Sequence, residues 1–568
     1  MKRSGTTHWS EHWRQYGFVM AVYVLATWLT GAFYIGDTPG YVSSILAYQN
    51  NQPFDWDNPF WEFGHLLWRP LGLITYKLIN PLTAAIIGTG DRANLTLALM
   101  LLNWLAGLFS VLLLHALVRR VCRREWIAHM ATIALLCSNA FLNYTQTGSS
   151  YVPGLMFLLL GFYLLARTAE QARATFKLSF GAGAALALSI LFWFPYVLAI
   201  PAALAWPLLL HGTERWRWRV VGQTALVLGL LVAAAYAAVI VGIGIRDLAG
   251  LRQWVEAAGH GQIQVRGFVR MLFSFPRSFV NLGNDGLLFK RFLIHDPFNP
   301  VSLFDLVRLS LWKLAAFYLF LGALGWNLLR TSLGRRLFAL LLLNSLPVFV
   351  FALFIFESGS IERYMPFYPL FFVALAGSLC GERTVPALRA MTLFFVAVMI
   401  ASNIGAMLTR TLDGKQEQVA ARIRDLQPRL KPGSLVAAVH LQDELVGFNY
   451  NFPFHPINRG GDLRVYNVLE IGAARILTWR EDFASKALAS WNAGGGVWVS
   501  KRFFSTQPRA EWNWVEGDDR RVAWADLPAF FSQLEVGESV GGADGFTLLS
   551  PSQKNRDFLV ALSQRARR

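Results

Sequence analysis

Apolar runs about as long as a bilayer is thick recur along the first 408 residues of this chain, which has 568 residues in all. A helix needs about 20 predominantly apolar residues to cross the hydrocarbon core. Hydrophobic residues make up 54% of the chain and charged residues only 15%, which is unusual for a water-soluble protein of this length. The sequence therefore predicts an α-helical multi-pass membrane protein with about eleven transmembrane helices. The predicted spans are 16–34, 95–117, 126–142, 152–166, 177–193, 195–211, 220–243, 307–329, 336–356, 364–380 and 388–408.

Basic residues give an independent indication of topology, because Lys and Arg collect in the cytoplasmic loops of membrane proteins. If the N-terminus lies in the cytoplasm, every predicted cytoplasmic segment carries such residues. The short loops on the opposite side then contain a single basic residue, Arg363. The segments 35–94 and 244–306 and all residues after 408 are therefore predicted to lie outside the cytoplasm.

The C-terminal part, residues 409–568, is predicted to form a small extracytoplasmic α/β domain beside the transmembrane domain of residues 1–408. A turn at Pro432-Gly433 is expected to precede an apolar strand at 434–439, and residues 494–500 are expected to form a turn and then a strand. A helix is expected between them, at 478–491. Strands that alternate with helices favour parallel pairing. The net charge of +17 belongs mostly to the cytoplasmic loops and to 244–306, so it does not predict nucleic-acid binding.

Asp37 is the main candidate for a functional residue. It lies three residues beyond the first predicted span, at the outer edge of the membrane, where a carboxylate is costly unless it has a role or a partner. The alternative is a solvated turn residue, since Asp, Pro and Gly in Gly36-Asp-Thr-Pro-Gly40 favour turns in any case.

Other polar residues of the external segments form two groups. Glu62, His65 and Arg69 are spaced to share one helical face, and this trio binds an acceptor or a metal, or is simply a polar face with internal hydrogen bonds. Basic residues form the second group, and contact with anionic lipid headgroups is the alternative to a substrate role for those in 244–306. The basic group is Arg266, Arg270, Lys290, Arg291 and Arg363, the last of which could instead pair with Glu362 or Glu357.

Further motifs carry weaker signals. Asp55 and Asp57 have the spacing of an Asp-x-Asp metal motif, which alone predicts little, and we assign no metal site. Tyr144 to Tyr151 is a polar stretch that either lines a sugar site or, as we favour, simply connects two helices. The glycines of the C-terminal part do not form a nucleotide-binding motif.

The layout resembles the GT-C superfamily of integral-membrane glycosyltransferases, which includes aminoarabinose transferases and protein mannosyltransferases. The resemblance covers roughly 16–408 and rests on an Asp early in a long first external loop, on Arg92-Ala-Asn-Leu-Thr-Leu-Ala-Leu-Met-Leu-Leu-Asn-Trp104 and on Glu362-Arg-Tyr-Met-Pro-Phe-Tyr-Pro369. It departs from the family at Thr38, where a second acid is common, so the second acidic role is unassigned.

The resemblance implies inverting transfer of a sugar from a polyprenyl-phosphate donor to an envelope lipid, polysaccharide or protein, at the outer face of a bacterial inner membrane. Asp37 would be the base, and the basic group would bind the donor phosphate. Tyr41, Glu62, His65, Arg69 and Tyr364 would line the donor and acceptor sites. No cofactor is implied, and a divalent metal is left open.

Two other functions are compatible with the sequence. One is a transporter or flippase of lipid-linked sugars, although such proteins place ionisable or helix-breaking features near mid-membrane in corresponding halves. The other is a catalytically inactive partner in envelope glycan assembly, in which a change at Asp37 would have no effect.

Overall fold

The computed structural model separates into two compact units along the chain. The first comprises Met1–Pro81, Leu95–Leu288 and Phe304–Arg410, and the second comprises Leu82–Asn94, Phe289–Leu303 and Thr411–Arg568. The residues that the structure describes are 6–32, 37–51, 59–87, 91–168, 176–211, 214–258, 268–283, 288–289, 292, 301–355, 359–380, 385–411, 415–439, 464–467, 479–506 and 525–565.

Helices make up most of the described chain. They are α1 Thr6–Leu29, α2 Thr38–Gln49, α3 Trp68–Ile87, α4 Asp91–Cys122, α5 Glu125–Leu136, α6 Asn139–Tyr144, α7 Tyr151–Thr168, α8 Phe176–Phe192, α9 Ile200–His211, α10 Arg215–Gly242, α11 Leu248–Ala257, α12 Phe268–Phe279, α13 Leu303–Leu306, α14 Trp312–Leu329, α15 Ser332–Phe354, α16 Tyr368–Cys380, α17 Pro386–Thr411, α18 Lys415–Leu426, α19 Trp479–Asn492, α20 Asp526–Phe531 and α21 Gln553–Arg565. Short 3-10 helices occur at Phe63–His65, Phe194–Ala199, Ile361–Phe367, Gln427–Arg429 and Lys501–Phe504, and a π-helical turn at Val307–Leu311 joins α13 to α14.

Six helices of the described chain are long and apolar enough to cross a membrane: Asp91–Cys122, Tyr151–Thr168, Arg215–Gly242, Leu303–Leu329, Ser332–Phe354 and Pro386–Leu408. Four shorter apolar helices, Gln15–Leu29, Glu125–Leu136, Phe176–Phe192 and Phe194–Leu210, accompany them. Exposed side chains such as Leu226, Leu230 and Val241 on α10 are apolar, as expected for a surface that faces lipid. The predicted helical multi-pass architecture is therefore confirmed, whereas the predicted count of eleven transmembrane helices stays a prediction.

Helix α12 runs alongside the segment Ile361–Cys380 in the same direction. The Ser274 hydroxyl lies 2.9 Å from the Tyr364 hydroxyl, and four residues further along both elements the Ser278 hydroxyl lies 2.7 Å from that of Tyr368. One face of α12 is buried through Phe275 and Phe279. The segment 244–306, predicted as an external loop, therefore contributes a packed helix to the first unit.

The buried side chain of Asn403 on α17 ties the end of α12 to the end of α5. Its amide nitrogen donates to the carbonyl oxygens of Cys137 and Phe279, at 2.6 Å each. Its amide oxygen accepts from the backbone N–H of Asn281, also at 2.6 Å. Three backbone groups next to helix ends are thereby satisfied away from water.

Replacing Asn403 by Ala is expected to lower the free energy of unfolding by about 2–4 kcal/mol, since three buried backbone groups lose their partners. Apparent thermal unfolding in detergent measures the loss. Asn327 is a matched control, because it is also buried and neither of its amide atoms has a hydrogen-bond partner among the described residues. Asn327→Leu should be neutral or stabilising, and an equal loss in both variants would contradict this assignment.

The second unit contains a five-stranded sheet with the order β2-β1-β3-β5-β4. The strands are β1 Leu435–Ala438, β2 Arg464–Asn467, β3 Val497–Ser500, β4 Val536–Val540 and β5 Phe546–Leu549. Strand β1 pairs in parallel with β2 and β3, whereas β5 pairs antiparallel with β3 and β4. The sheet is therefore mixed, and the parallel pairing expected from the sequence describes only three of its strands.

The predicted turn before β1 depends on glycine. Gly433 has φ +78°, a conformation that residues with a Cβ rarely adopt. Gly495, which precedes β3, packs so closely that a Cβ on it would lie 2.6 Å from the backbone of Gly433. Glycine at both positions lets β1 and β3 begin side by side.

Candidate functional site

Asp37 lies immediately before α2 and is exposed. Its side chain does not cap the helix. Instead, carboxylate oxygen Oδ2 accepts hydrogen bonds from the hydroxyl of Tyr151 at 2.5 Å and from that of Tyr41 at 3.2 Å. Two tyrosines from different parts of the chain therefore hold this carboxylate, which a simple solvated turn residue does not require.

A buried hydrogen-bonded chain continues from Tyr41 to His65. The Tyr41 hydroxyl lies 3.3 Å from His65 Nε2, and His65 Nδ1 lies 2.6 Å from the Ser150 hydroxyl. Burial raises the pKa of the Tyr41 phenol well above its ordinary value, so the hydroxyl keeps the proton that it donates. Burial also lowers the pKa of His65, although the charges of Glu62 and Asp37 act in the opposite direction.

The lowered pKa of His65 predicts acid sensitivity. His65 stays neutral in the folded protein, whereas an unfolded histidine takes up a proton below about pH 6.5. The unfolded state then binds more protons, so stability should fall as the pH is lowered from about 7.5 to 5.5. Apparent melting temperatures of wild type and His65→Gln test this, and the variant should lose less stability over that range. Equal losses in the two proteins would contradict the prediction.

Glu62 and Arg69 form a buried ion pair next to Tyr41. Arg69 Nη1 donates to Glu62 Oε2, and only 4% and 3% of Glu62 and Arg69, respectively, are exposed. The Arg69 guanidinium also lies 4.9 Å from the centre of the Tyr41 ring. The trio predicted to share one helical face does come together around Tyr41, but not on a single helix. Glu62 precedes the 3-10 helix that ends at His65, and Arg69 belongs to α3.

A second carboxylate, Glu362, belongs to the same cluster. The Tyr144 hydroxyl donates to Glu362 Oε2 at 2.7 Å, and Arg363 Nε lies 3.9 Å from Glu362 Oε1. The Arg363 guanidinium lies 5.7 Å from the Trp193 ring centre. The sequence analysis gave an ion pair between Arg363 and Glu362 as the alternative to a phosphate role for Arg363. The two side chains do approach each other, at 3.9 Å, and both lie in the cluster.

The polar connection Tyr144–Tyr151 makes hydrogen bonds to several other segments of the cluster. The Gly148 carbonyl accepts from Trp68 Nε1 at 2.9 Å, and the Gly148 N–H donates to the Thr38 hydroxyl at 2.9 Å. Sequence reasoning favoured a simple helix connection here. The available signal was a run of polar residues between apolar helices, but the partners of Gly148 and Ser150 are 80 or more positions away in the chain.

The other predicted site residues divide between the described and undescribed parts of the chain. Arg270 is exposed on α12, and Tyr364 is fully buried against Ser274. Arg266, Lys290 and Arg291 lie outside the described residues, as do Asp55 and Asp57. Within the described chain, no group of three or more His, Cys, Asp or Glu side chains is arranged to hold a metal ion.

The chemistry of this arrangement follows from its charges. An exposed carboxylate oriented by two hydroxyls is suited to accept a proton from an approaching hydroxyl group. Arg69 and Arg363 are close enough to His65 for both charges to lower its pKa, so two cations accompany the carboxylates. Tyr144, Tyr151 and Trp193 supply aromatic surface between them, with ring centres of neighbouring pairs 4.8 and 4.9 Å apart.

Comparison with known proteins gives similarity in sequence and in fold. The family model described as dolichyl-phosphate-mannose-protein mannosyltransferase matches residues 78–240. The crystal structure of ArnT from Cupriavidus metallidurans bound to undecaprenyl phosphate is 11% identical and covers 96% of this chain and 99% of its own, with a TM-score of 0.52.

Two further structures have lower scores. ArnT in the apo state is 12% identical over 88% of this chain and 93% of its own, with a TM-score of 0.48. The Archaeoglobus fulgidus oligosaccharyltransferase tethered with an acceptor peptide is 14% identical. The match covers 95% of this chain and 74% of that one, also with a TM-score of 0.48. Curated protein sequences gave no match. The structure bound to undecaprenyl phosphate shows that this chain shares the ArnT fold, which agrees with the GT-C resemblance predicted from the sequence.

Proposed function

We propose that this chain is an integral-membrane glycosyltransferase that moves a sugar from a polyprenyl-phosphate donor to an envelope lipid, polysaccharide or protein, with inversion at the anomeric carbon. The observation that carries the proposal is the exposed carboxylate of Asp37, held by Tyr41 and Tyr151 in a cluster that also contains Arg69 and Arg363. The match to a mannosyltransferase family over residues 78–240 supports the same reaction class.

In this mechanism Asp37 takes the proton of the acceptor hydroxyl as its oxygen attacks the anomeric carbon. The bond from that carbon to the phosphate oxygen breaks, and polyprenyl phosphate leaves with the electron pair. A phosphate is a good leaving group, so the reaction does not need the second carboxylic acid that glycoside hydrolysis requires.

Arginine side chains would stabilise the negative charge of the departing phosphate, because the planar guanidinium can bind two phosphate oxygens at once. Arg69 and Arg363 belong to the described cluster. Arg266, Arg270, Lys290 and Arg291 are proposed to complete the phosphate site from the segment 244–306.

The proposed location is the outer face of a bacterial inner membrane. The N-terminus would be cytoplasmic, and residues 409–568 would form the extracytoplasmic domain. The distribution of Lys and Arg supports this orientation, since it places Asp37 outside the cytoplasm.

Binding of undecaprenyl phosphate to the purified protein tests the donor class. The lipid should raise the apparent melting temperature of wild type in detergent, because a ligand that binds only the folded state stabilises it. Arg363→Met should reduce this shift in melting temperature, and undecaprenol, which lacks the phosphate, should shift the melting temperature little. Equal shifts with undecaprenol and its phosphate would contradict a site that recognises the phosphate.

A further inference from the structure

Glu362 is a buried carboxylate that the transfer mechanism does not use. It lies near the start of the 3-10 helix Ile361–Phe367 and is only 7% exposed. A carboxylate in such a place is costly unless hydrogen bonds or charges compensate for lost water. The Tyr144 hydroxyl at 2.7 Å and the Arg363 guanidinium provide that compensation.

The two carboxylates of the site are connected through a pair of tyrosines. The Tyr144 ring packs edge-on against the Tyr151 ring, with centres 4.8 Å apart and an angle of 81° between the planes. The Tyr144 hydroxyl donates to Glu362, and the Tyr151 hydroxyl donates to Asp37 at 2.5 Å. Each carboxylate therefore fixes one member of the same aromatic pair.

The surroundings leave this pair little freedom to adjust. Tyr151 also packs against Trp193, with ring centres 4.9 Å apart, and its carbonyl accepts from the Tyr196 hydroxyl at 2.6 Å. Tyr144 begins the connection whose other end is Tyr151, and Asn103 donates to the carbonyls of Tyr144 and Thr147 within it. Rotation of the Tyr144 ring would therefore be transmitted directly to Tyr151.

We infer that Glu362 is a positioning residue for sugar transfer: by holding Tyr144 it fixes the Tyr151 ring, and thereby the direction in which the Asp37 carboxylate faces the acceptor. This inference rests on the proposed function. Glu362 neither touches the reacting atoms nor exchanges the acceptor's proton. Its effect falls on the rate of the bound complex, since small misplacements of a reacting group slow a reaction strongly.

The test is a double-mutant cycle of Tyr144→Phe and Glu362→Gln in the full chain, assayed with lipid-linked sugars extracted from source membranes. Each single variant is expected to lower kcat by about 10- to 100-fold with little change in KM. The double variant should be no slower than the slower single variant, because both changes break the same link.

A pH profile separates positioning from a general loss of structure. Tyr151 donates to the ionised form of Asp37 and so favours it. If Tyr144→Phe and Glu362→Gln disturb that bond, the acid limb of the kcat/KM profile should move to higher pH, as it should in Tyr151→Phe. Tyr318→Phe is the matched control, because this hydroxyl donates to the Leu272 carbonyl at 2.7 Å and should leave kcat and the profile unchanged.

Several outcomes would overturn the inference. Multiplicative losses in the double variant would show that Glu362 and Tyr144 act separately. An unmoved acid limb together with a lowered melting temperature would assign Glu362 to stability alone, and an increase confined to KM would assign it to substrate binding. Absence of transfer by wild type would instead overturn the proposed function.

Discussion

Asp37→Asn is expected to lower the rate of sugar transfer by about 10²- to 10⁴-fold, the usual contribution of a general base. Asparagine has nearly the same shape as aspartate, and its amide oxygen can still accept hydrogen bonds from Tyr41 and Tyr151. It cannot take up the acceptor's proton. The variant should therefore remain folded and inserted in the membrane, and the loss should appear in kcat.

The matched control for this variant is Asp247→Asn. Asp247 is also an exposed aspartate directly before a helix, and its side chain accepts from the Gly250 N–H at 2.7 Å. Asparagine caps the N-terminus of a helix as well as aspartate does, so activity and stability should both be unchanged. Wild-type rates from Asp37→Asn would remove Asp37 from the role of base.

Arg69→Met is expected to have the largest effect on stability, lowering the free energy of unfolding by about 3–5 kcal/mol. The change removes the cation from a pair in which both partners are almost fully buried, and it leaves the Glu62 carboxylate without that charge. The apparent melting temperature in detergent measures this loss. Arg252→Met is the control, because the Arg252–Glu256 ion pair is exposed. Exposed ion pairs contribute little to the free energy of unfolding, so this variant should melt at nearly the wild-type temperature.

The double variant Glu62→Gln with Arg69→Met separates stability from function. It removes both buried charges, so it should recover much of the stability that Arg69→Met loses. Transfer should remain slow if Arg69 contributes its charge to the donor phosphate. Full recovery of activity together with stability would show that the pair is purely structural.

The sequence predicted a helical multi-pass membrane protein because hydropathy is a local property of a chain. The orientation inferred from its basic residues stays a prediction. The strands Leu435–Ala438 and Val497–Ser500 and the helix Trp479–Asn492 were also predicted within a few residues. Strand order and the antiparallel strands β4 and β5 were not predicted. Pairing depends on contacts between distant segments, and no local pattern records them.

The candidate site was predicted only in part, because most of its contacts also join distant segments of the chain. Asp37 stood out through its place beside an apolar span, but nothing near it in the sequence indicates Tyr151, which is 114 positions away. Glu362 and Tyr144 are 218 positions apart, so the second carboxylate could not be linked to the first. His65 and Arg69 were found through helical spacing, although they belong to different elements.

Compositional analysis of envelope glycans tests the central claim most directly. Deleting the gene should remove one sugar from one class of envelope molecule, and wild type but not Asp37→Asn should restore it. An unchanged glycan composition after deletion, or full restoration by Asp37→Asn expressed at the wild-type level, would contradict a glycosyltransferase whose reaction depends on this carboxylate.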